Sequence, residues 1–394
     1  MSSKSDQPMI PFGRPMLGAE EAAAVAQVLA GPQLVHGPVA RDFEQAFAAR
    51  AGVDHAVSLS SCTAGLHLSL LASGIGPGDA VLVPAMTHVA TAHAVEHCGA
   101  TPVFVDVDPK SGNIDPERLS AAITPDTRAA IVVHYLGLPC DMDRILPVIE
   151  RAGGVVIEDC ALALDATYGD AKAGVLGAAG CFSFYPVKHM TCGEGGMLIT
   201  DDTALARKVA RTKAFGYDRS LGERNKPGIY DVTALGYNFR MSELHAAIGR
   251  AQLDKLDDFH AAREANYHAI SEALDDVEEL VIFAPRQGRA QSSYYCLNVV
   301  LSPDASLSRD DLAAMLKAAG IGTSVHYPGP VPLFSYYREK YSHCPGVFPV
   351  AEWLAASTIS LPVGPHLGPG DPRRIADAVK QAITALRPSR VAVK

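Results

Sequence analysis

Apolar positions along the chain follow two rhythms. Short, nearly continuous runs rich in Val, Ile and Ala recur at residues 56–59, 81–84, 101–108, 129–134, 153–157 and 181–185, and each predicts a buried strand. Between them lie stretches with helical spacing. One begins after Gly18 and stops at Gly31-Pro32, another carries Phe43 and Phe47 four residues apart on one face, and a third covers residues 116–123. Strands without alternation, separated by helices, are buried on both faces, so the expected fold class is α/β with a mainly parallel sheet.

Past residue 240 the pattern changes. Leu244, Ile248, Ala251 and Leu256 predict an apolar helix stripe that leads into a smaller unit. That unit reads as a strand at 294–301, a helix capped by Ser308 and ended by Gly320, and further elements at 352–360 and 371–386, with 387–394 a solvated tail. The expected division is a large domain at 11–255, including the N-terminal segment, and a small C-terminal α/β domain at 256–394.

Composition narrows the function classes. The 394 residues are ample for two domains, and a net charge of −9 argues against nucleic-acid binding. No apolar run reaches membrane-spanning length and MSSKSDQPMI lacks a signal-peptide core, so the cytoplasm is the expected location. Eight cysteines without a CxxC pair read as reduced thiols. His93 and His97 sit one helical turn apart, but no acidic or cysteine partner at a familiar spacing completes a ligand set, so no metal is expected. The Gly-rich stretch 74–79 reads as a turn, because Pro77 interrupts it and no helical pattern follows.

The candidate chemistry lies between residues 157 and 200. Asp159 follows an apolar run, where the carboxyl end of a strand faces the ligand crevice of an open α/β sheet. Lys188 falls in an irregular segment after the next strand, before Gly193, Gly195 and Gly196. A poorly hydrated lysine loses its proton readily and its amine can attack a carbonyl. Taken alone, Lys188 is better explained as a solvated lysine and Asp159 as a helix-capping or turn aspartate. Ser60-Ser61-Cys62-Thr63 joins a strand to a helix, a layout that offers backbone N–H groups to an anion. A capped helix without a ligand is the commoner use of that layout.

Longer words carry a more specific message. The run GCFSFYPVKHMTCGEGGML, preceded by VIEDCA, resembles the DegT/DnrJ/EryC1/StrS aminotransferases, and the likeness extends over nearly the whole chain. The resemblance implies the type I aminotransferase fold and the cofactor pyridoxal 5'-phosphate (PLP). It makes Lys188 the lysine that binds the cofactor covalently and Asp159 the partner of its ring nitrogen. SSCTAGL resembles the family's SGTAAL, so Cys62, in place of the usual Gly, and Thr63 become backbone donors to the phosphate, with the Ser183 hydroxyl nearby. His88 fills the place of an aromatic ring stacked on the cofactor. Leu162 departs from the usual Gln or His and supplies no hydrogen bond.

GYNFRM implies that Asn238 reaches the phosphate of the partner subunit's cofactor, hence a homodimer with a shared active site. His326, in GTSVHYP, is a candidate for lining the substrate site. The implied activity moves an amino group from an amino acid, usually L-glutamate, to a keto-sugar, most often nucleotide-linked, as in polysaccharide or antibiotic sugar biosynthesis. Alternatives are a cyclitol or other ketone acceptor, or a PLP-dependent sugar dehydratase with His in place of the lysine. Lys188 argues against the dehydratase, although His189 adjoins it. A non-catalytic PLP-binding partner or regulatory protein is the remaining reading.

Overall fold

In the computed structural model, which describes residues 8–218 and 228–387, seven strands form the central sheet. They are β1 (His55–Leu59), β2 (Ala80–Pro84), β3 (Thr101–Val105), β4 (Thr127–Val133), β5 (Val155–Asp159), β6 (Ala179–Ser183) and β7 (Gly196–Thr200). Their order is β1-β7-β6-β5-β4-β2-β3. The five strands from β6 to β3 run parallel, and β7 is antiparallel to both neighbours. The predicted α/β class with a mainly parallel sheet is what forms. Alternation along β4 explains why its run is apolar throughout: Ile131 joins the core under helix Cys62–Ala72, while Ala130 and Val132 join Ile145 and Ile149 of helix Met142–Arg151. Phe43 and Phe47 share one helix face and close on Phe184, with ring centres at 5.4 and 5.7 Å.

A second, antiparallel sheet comprises β8 (Leu280–Ile282), β9 (Leu297–Leu301) and β10 (Thr358–Leu361), in that order. Helices Leu256–Leu274, Arg309–Ala318 and Asp371–Leu386 contribute Ile270, Leu316 and Val379 to its core. Two crossings tie this core to the large sheet. Ile10 is buried in the small core and bridges Ile321. In the other direction, the Val331 amide donates to the Ala85 carbonyl at 2.8 Å, and buried Asp106 accepts from the amides of Val350 and Ala351 at the head of helix Pro349–Ser357.

Several elements differ from the sequence expectation. β5 starts at Val155 because Gly153 takes φ 74° and closes the turn after helix Met142–Arg151, so Asp159 is the last strand residue and not the first beyond it. Tyr294 has φ 54°, which delays the predicted strand until Leu297. The stripe on helix Glu243–Leu253 is misplaced. Its buried residues include Glu243 and Gln252, whereas Leu244, Ile248 and Ala251 are half-exposed; Leu256, the fourth residue of the predicted stripe, is fully buried but starts the next helix. The polar pair is inside because Glu243 accepts from the Gly37 and Val39 amides, and Gln252 donates to Glu21 and to the Met16 carbonyl. The predicted tail beyond Arg387 and the first seven residues lie outside the described residues. No helix among the described residues is long and apolar enough to cross a membrane. The eight cysteines are unpaired, and seven are buried.

Adjacent residues on β5 project to opposite faces. Glu158, fully buried, takes four hydrogen bonds on the side away from Asp159: from the amides of Gly174, Leu176 and Gly177 at 2.6–2.8 Å and from His134 Nε2 at 2.8 Å. Because the Cys140 amide donates to His134 Nδ1, the imidazole proton sits on Nε2. Glu158→Gln turns one acceptor into an NH2 facing a donor, and the expected loss is about 2–3 kcal/mol of stability. The exposed Glu117, paired with Arg144 at the surface, is the control. Glu117→Gln should change the unfolding free energy read from denaturant titration by no more than about 0.5 kcal/mol.

Candidate active site

The crevice lies at the carboxyl ends of the parallel strands, and its first wall is the turn after β1. Ser61 caps helix Cys62–Ala72 through a hydrogen bond from the Ala64 amide to its hydroxyl at 3.1 Å. The Cys62 and Thr63 amides have no acceptor among the described residues, so two donors and the positive end of the helix dipole are free for an anion. Cys62 is absent from the positive-φ residues, so replacing glycine leaves the turn unstrained. Gly196, opposite Ser183 in the sheet, makes the cradle possible. A Cβ there would collide with the backbone of Ser61 and Cys62. Ser183 is half-buried, and its Oγ accepts weakly from the Tyr185 amide at 3.4 Å.

Asp159 forms the floor. Its Oδ2 accepts from Thr91 Oγ1 at 3.0 Å and its Oδ1 from the Ala161 amide at 3.1 Å. Cys62 Sγ lies 3.3 Å from the Cys181 carbonyl and 3.8 Å from Asp159 Oδ1. Burial, and after it the Asp159 charge, pushes the Cys62 thiol well above its ordinary value, so it stays an S–H donor.

Lys188 is positioned by a turn in which its amide donates to the Tyr185 carbonyl at 2.9 Å. Its ammonium lies 5.4 Å from the centre of the Tyr295 ring and makes no ion pair among the described residues. Lost hydration lowers its pKa, while the nearby Cys62, Asp159 and Cys296 oppose that shift. Across the chamber, His326 Nδ1 meets Ser360 Oγ at 2.8 Å and its carbonyl accepts from the Tyr135 hydroxyl. Burial first, then Lys188 and His88, push the His326 imidazole down to about 3, so it is neutral near pH 7. His88 stands at the rim, capping helix Val89–His97 by accepting from the Ala90 amide at 3.2 Å, with its ring edge-on to Tyr327 at 6.0 Å.

Lys188, Asp159, Cys62, His88 and His326 thus lie close enough to alter one another's charge, with Thr63 and Ser183 on the cradle beside them. Asn238 is apart. It is exposed, accepts from Arg240 Nε at 3.0 Å and bridges Ala214. Nor does it cap the following helix, a role taken by Ser242. Leu162 is buried and offers its carbonyl to Ser293 Oγ at 2.9 Å. His189 faces away, bound to the Ser293 carbonyl at 2.9 Å and stacked on His260.

Sequence reasoning missed Thr91 and Tyr295. Thr91 sits four residues after Thr87, and their hydroxyls meet at 2.8 Å. That spacing on a helix entering the crevice was the available signal. Tyr295 had none, since it reaches Lys188 from a distant segment. His134, Glu158 and Cys160 cluster like metal ligands. Both imidazole nitrogens and both carboxylate oxygens there are already engaged.

Because burial disfavours the ammonium form, Lys188 in the cofactor-free protein is expected to reach half-maximal reaction with a small acylating reagent at lower pH than exposed Lys110. Peptide mass mapping across a pH series checks the order, which a solvated Lys188 would not give.

Comparison with known proteins places this geometry in context. Residues 15–380 match the DegT/DnrJ/EryC1/StrS aminotransferase family. The spore coat polysaccharide biosynthesis protein SpsC of Bacillus subtilis (strain 168) is 39% identical over 379 residues, covering 95% of this chain and 97% of that one. DesV of S. venezuelae superposes with a TM-score of 0.87 at 34% identity, over 96% of this chain and 99% of its own. Spr1654 of Streptococcus pneumoniae, assigned as a sugar aminotransferase and solved in a PLP form, gives 0.89 at 26% identity over 96% and 100%. Free amides at a helix head, an engaged carboxylate and a half-buried lysine without an ion pair among the described residues fit that cofactor's phosphate, ring nitrogen and aldehyde. The chain belongs to the DegT/DnrJ/EryC1/StrS family and is a PLP-dependent aminotransferase.

Proposed function

We propose that this aminotransferase takes its amino group from L-glutamate and delivers it to the ketone carbon of a nucleotide-linked sugar, working as a cytoplasmic homodimer. Support for a sugar acceptor comes from its relatives in polysaccharide biosynthesis and sugar amination. The observation that carries the reading is the pairing of an unpaired, poorly hydrated Lys188 amine with Asp159, whose carboxylate is held by Thr91 and the Ala161 amide.

PLP, when bound, supplies an aldehyde for amines and a ring that draws electrons from the carbon bearing the amine. In this reading Lys188 holds the cofactor, then serves as the base that moves the proton of the donor carbon. Asp159 would accept a hydrogen bond from the ring nitrogen and so favour its protonated form. The Cys62 and Thr63 amides and the Ser183 hydroxyl would hold the phosphate, with His88 at the rim beside the ring. His326, neutral and opposite Lys188, lines the substrate side without adding charge.

Asn238 is read as a ligand for the partner subunit's cofactor. Its exposure beside Phe215, Ile229, Val232 and Leu235, which are 38%, 56%, 56% and 86% exposed, supports a surface that a second copy covers.

The purified protein with PLP should show the visible band of a lysine-bound cofactor, bleaching with L-glutamate. Lys188→Ala should lose both the band and at least about 10³-fold in rate, as expected for a group forming the covalent link. Product analysis with nucleotide-linked and free keto-sugars then tests the acceptor; amination of free sugars alone would refute the nucleotide link.

A mixing experiment tests the shared site. Lys188→Ala and Asn238→Ala subunits, each nearly inactive, should regain activity when allowed to exchange, because one site of each mixed dimer holds both native residues. Failure to regain it despite verified exchange would put Asn238 in its own subunit's site.

A further inference from the structure

Arg263, on helix Leu256–Leu274, is only 6% exposed and forms no ion pair among the described residues. Its guanidinium spans two segments, with Nη1 donating to the Tyr295 carbonyl at 2.8 Å and Nη2 to the Lys188 carbonyl at 3.4 Å. Nε has no partner. A buried cation without a carboxylate is costly, and burial pulls its pKa down to about 10. What it receives in return is two main-chain acceptors, one of them belonging to the reactive lysine.

The surrounding contacts give the clamp its meaning. The Lys188 amide donates to the Tyr185 carbonyl, so the residue is engaged at both its N–H and its carbonyl. One residue on, His189 binds the Ser293 carbonyl at 2.9 Å, and Ser293 is tied to the Gly137 carbonyl through its amide and to the Leu162 carbonyl through its hydroxyl. These links stitch the loop carrying Lys188 to residues 293–295, and the Tyr295 ring ends 5.4 Å from the Lys188 ammonium. The planar guanidinium gives each carbonyl its own Nη in a fixed geometry, whereas a lysine ammonium would have to serve both from one atom on a flexible stem.

We propose that Arg263 is a positioning residue for amino transfer: by gripping the Lys188 and Tyr295 carbonyls together it sets where the Lys188 amine stands relative to Asp159 and the Tyr295 ring. The inference rests on Lys188 as the reactive lysine. Arg263 touches no reacting atom, and it acts through the main chain of the residue that does.

Arg263→Lys, which keeps the charge, and Arg263→Met, which keeps the length, test it on the PLP-loaded enzyme. Borohydride reduction and mass mapping report whether the cofactor is attached at Lys188, and visible circular dichroism reports its orientation. In both variants the expected result is attachment at Lys188, an altered visible dichroism, and kcat for the glutamate half-reaction lowered about 10- to 100-fold with KM changed less than about 3-fold. Wild-type dichroism and kcat per attached cofactor in Arg263→Lys would overturn the proposal, and so would losses that merely track the folded fraction by thermal melting. If Arg263→Met does not fold, Arg263→Lys alone decides. Absence of attachment at Lys188 in the wild-type protein would instead refute the assignment of the lysine.

Discussion

The structure depends on keeping an amine and a carboxylate in one chamber without letting them neutralise each other. Asp159 is engaged by Thr91 and the Ala161 amide, and the Lys188 ammonium faces an aromatic ring. Had the two closed into an ion pair, the lysine would be held as ammonium and would occupy part of the carboxylate. The groups beside them are neutral. The Cys62 thiol keeps its proton beside Asp159, and His326 stays uncharged across from Lys188. A low-dielectric pocket lined by such groups amplifies the few charges that remain, which is the condition under which a cofactor's electron demand is most effective.

Support for that arrangement comes from the backs of the strands. Glu158 spends its carboxylate on three amides and an imidazole, so the end of β5 has little freedom to shift. Gly196 lets β7 lie against the turn at Ser61 and Cys62, and the Ser60 amide donates to the Phe239 carbonyl at 2.8 Å. The cradle therefore touches β7 and the segment at Phe239 through main-chain contacts, which side-chain substitution leaves largely intact.

Much of this was legible in the sequence because it is local. Apolar runs marked the parallel strands, Ser61 and Ser308 announced their helices, and the words around Lys188 carried the chemistry. What stayed hidden joins residues far apart in the chain. Tyr295 and Arg263 meet Lys188 across the two cores, and no periodicity encodes that. The stripe on helix Glu243–Leu253 was misread for a related reason: Glu243 and Gln252 are inside because their partners lie more than 200 residues earlier. A hydrophobic pattern treats such polar residues as surface, since it does not see the amides that satisfy them. Strand limits moved at Gly153 and Tyr294, where positive φ overrides an apolar run.

The crossing of chain between the two cores bears on synthesis. Ala85 and Asp106 belong to the first sheet to emerge, yet the groups that complete them, Val331 and the head of helix Pro349–Ser357, come near the end. A nascent chain that has made every strand of the central sheet still carries an open apolar face, including Phe104, which awaits Tyr337. From Thr200, where the last central strand ends, until helix Pro349–Ser357 is made, the growing chain therefore exposes apolar surface of the kind that makes incomplete folds prone to aggregate.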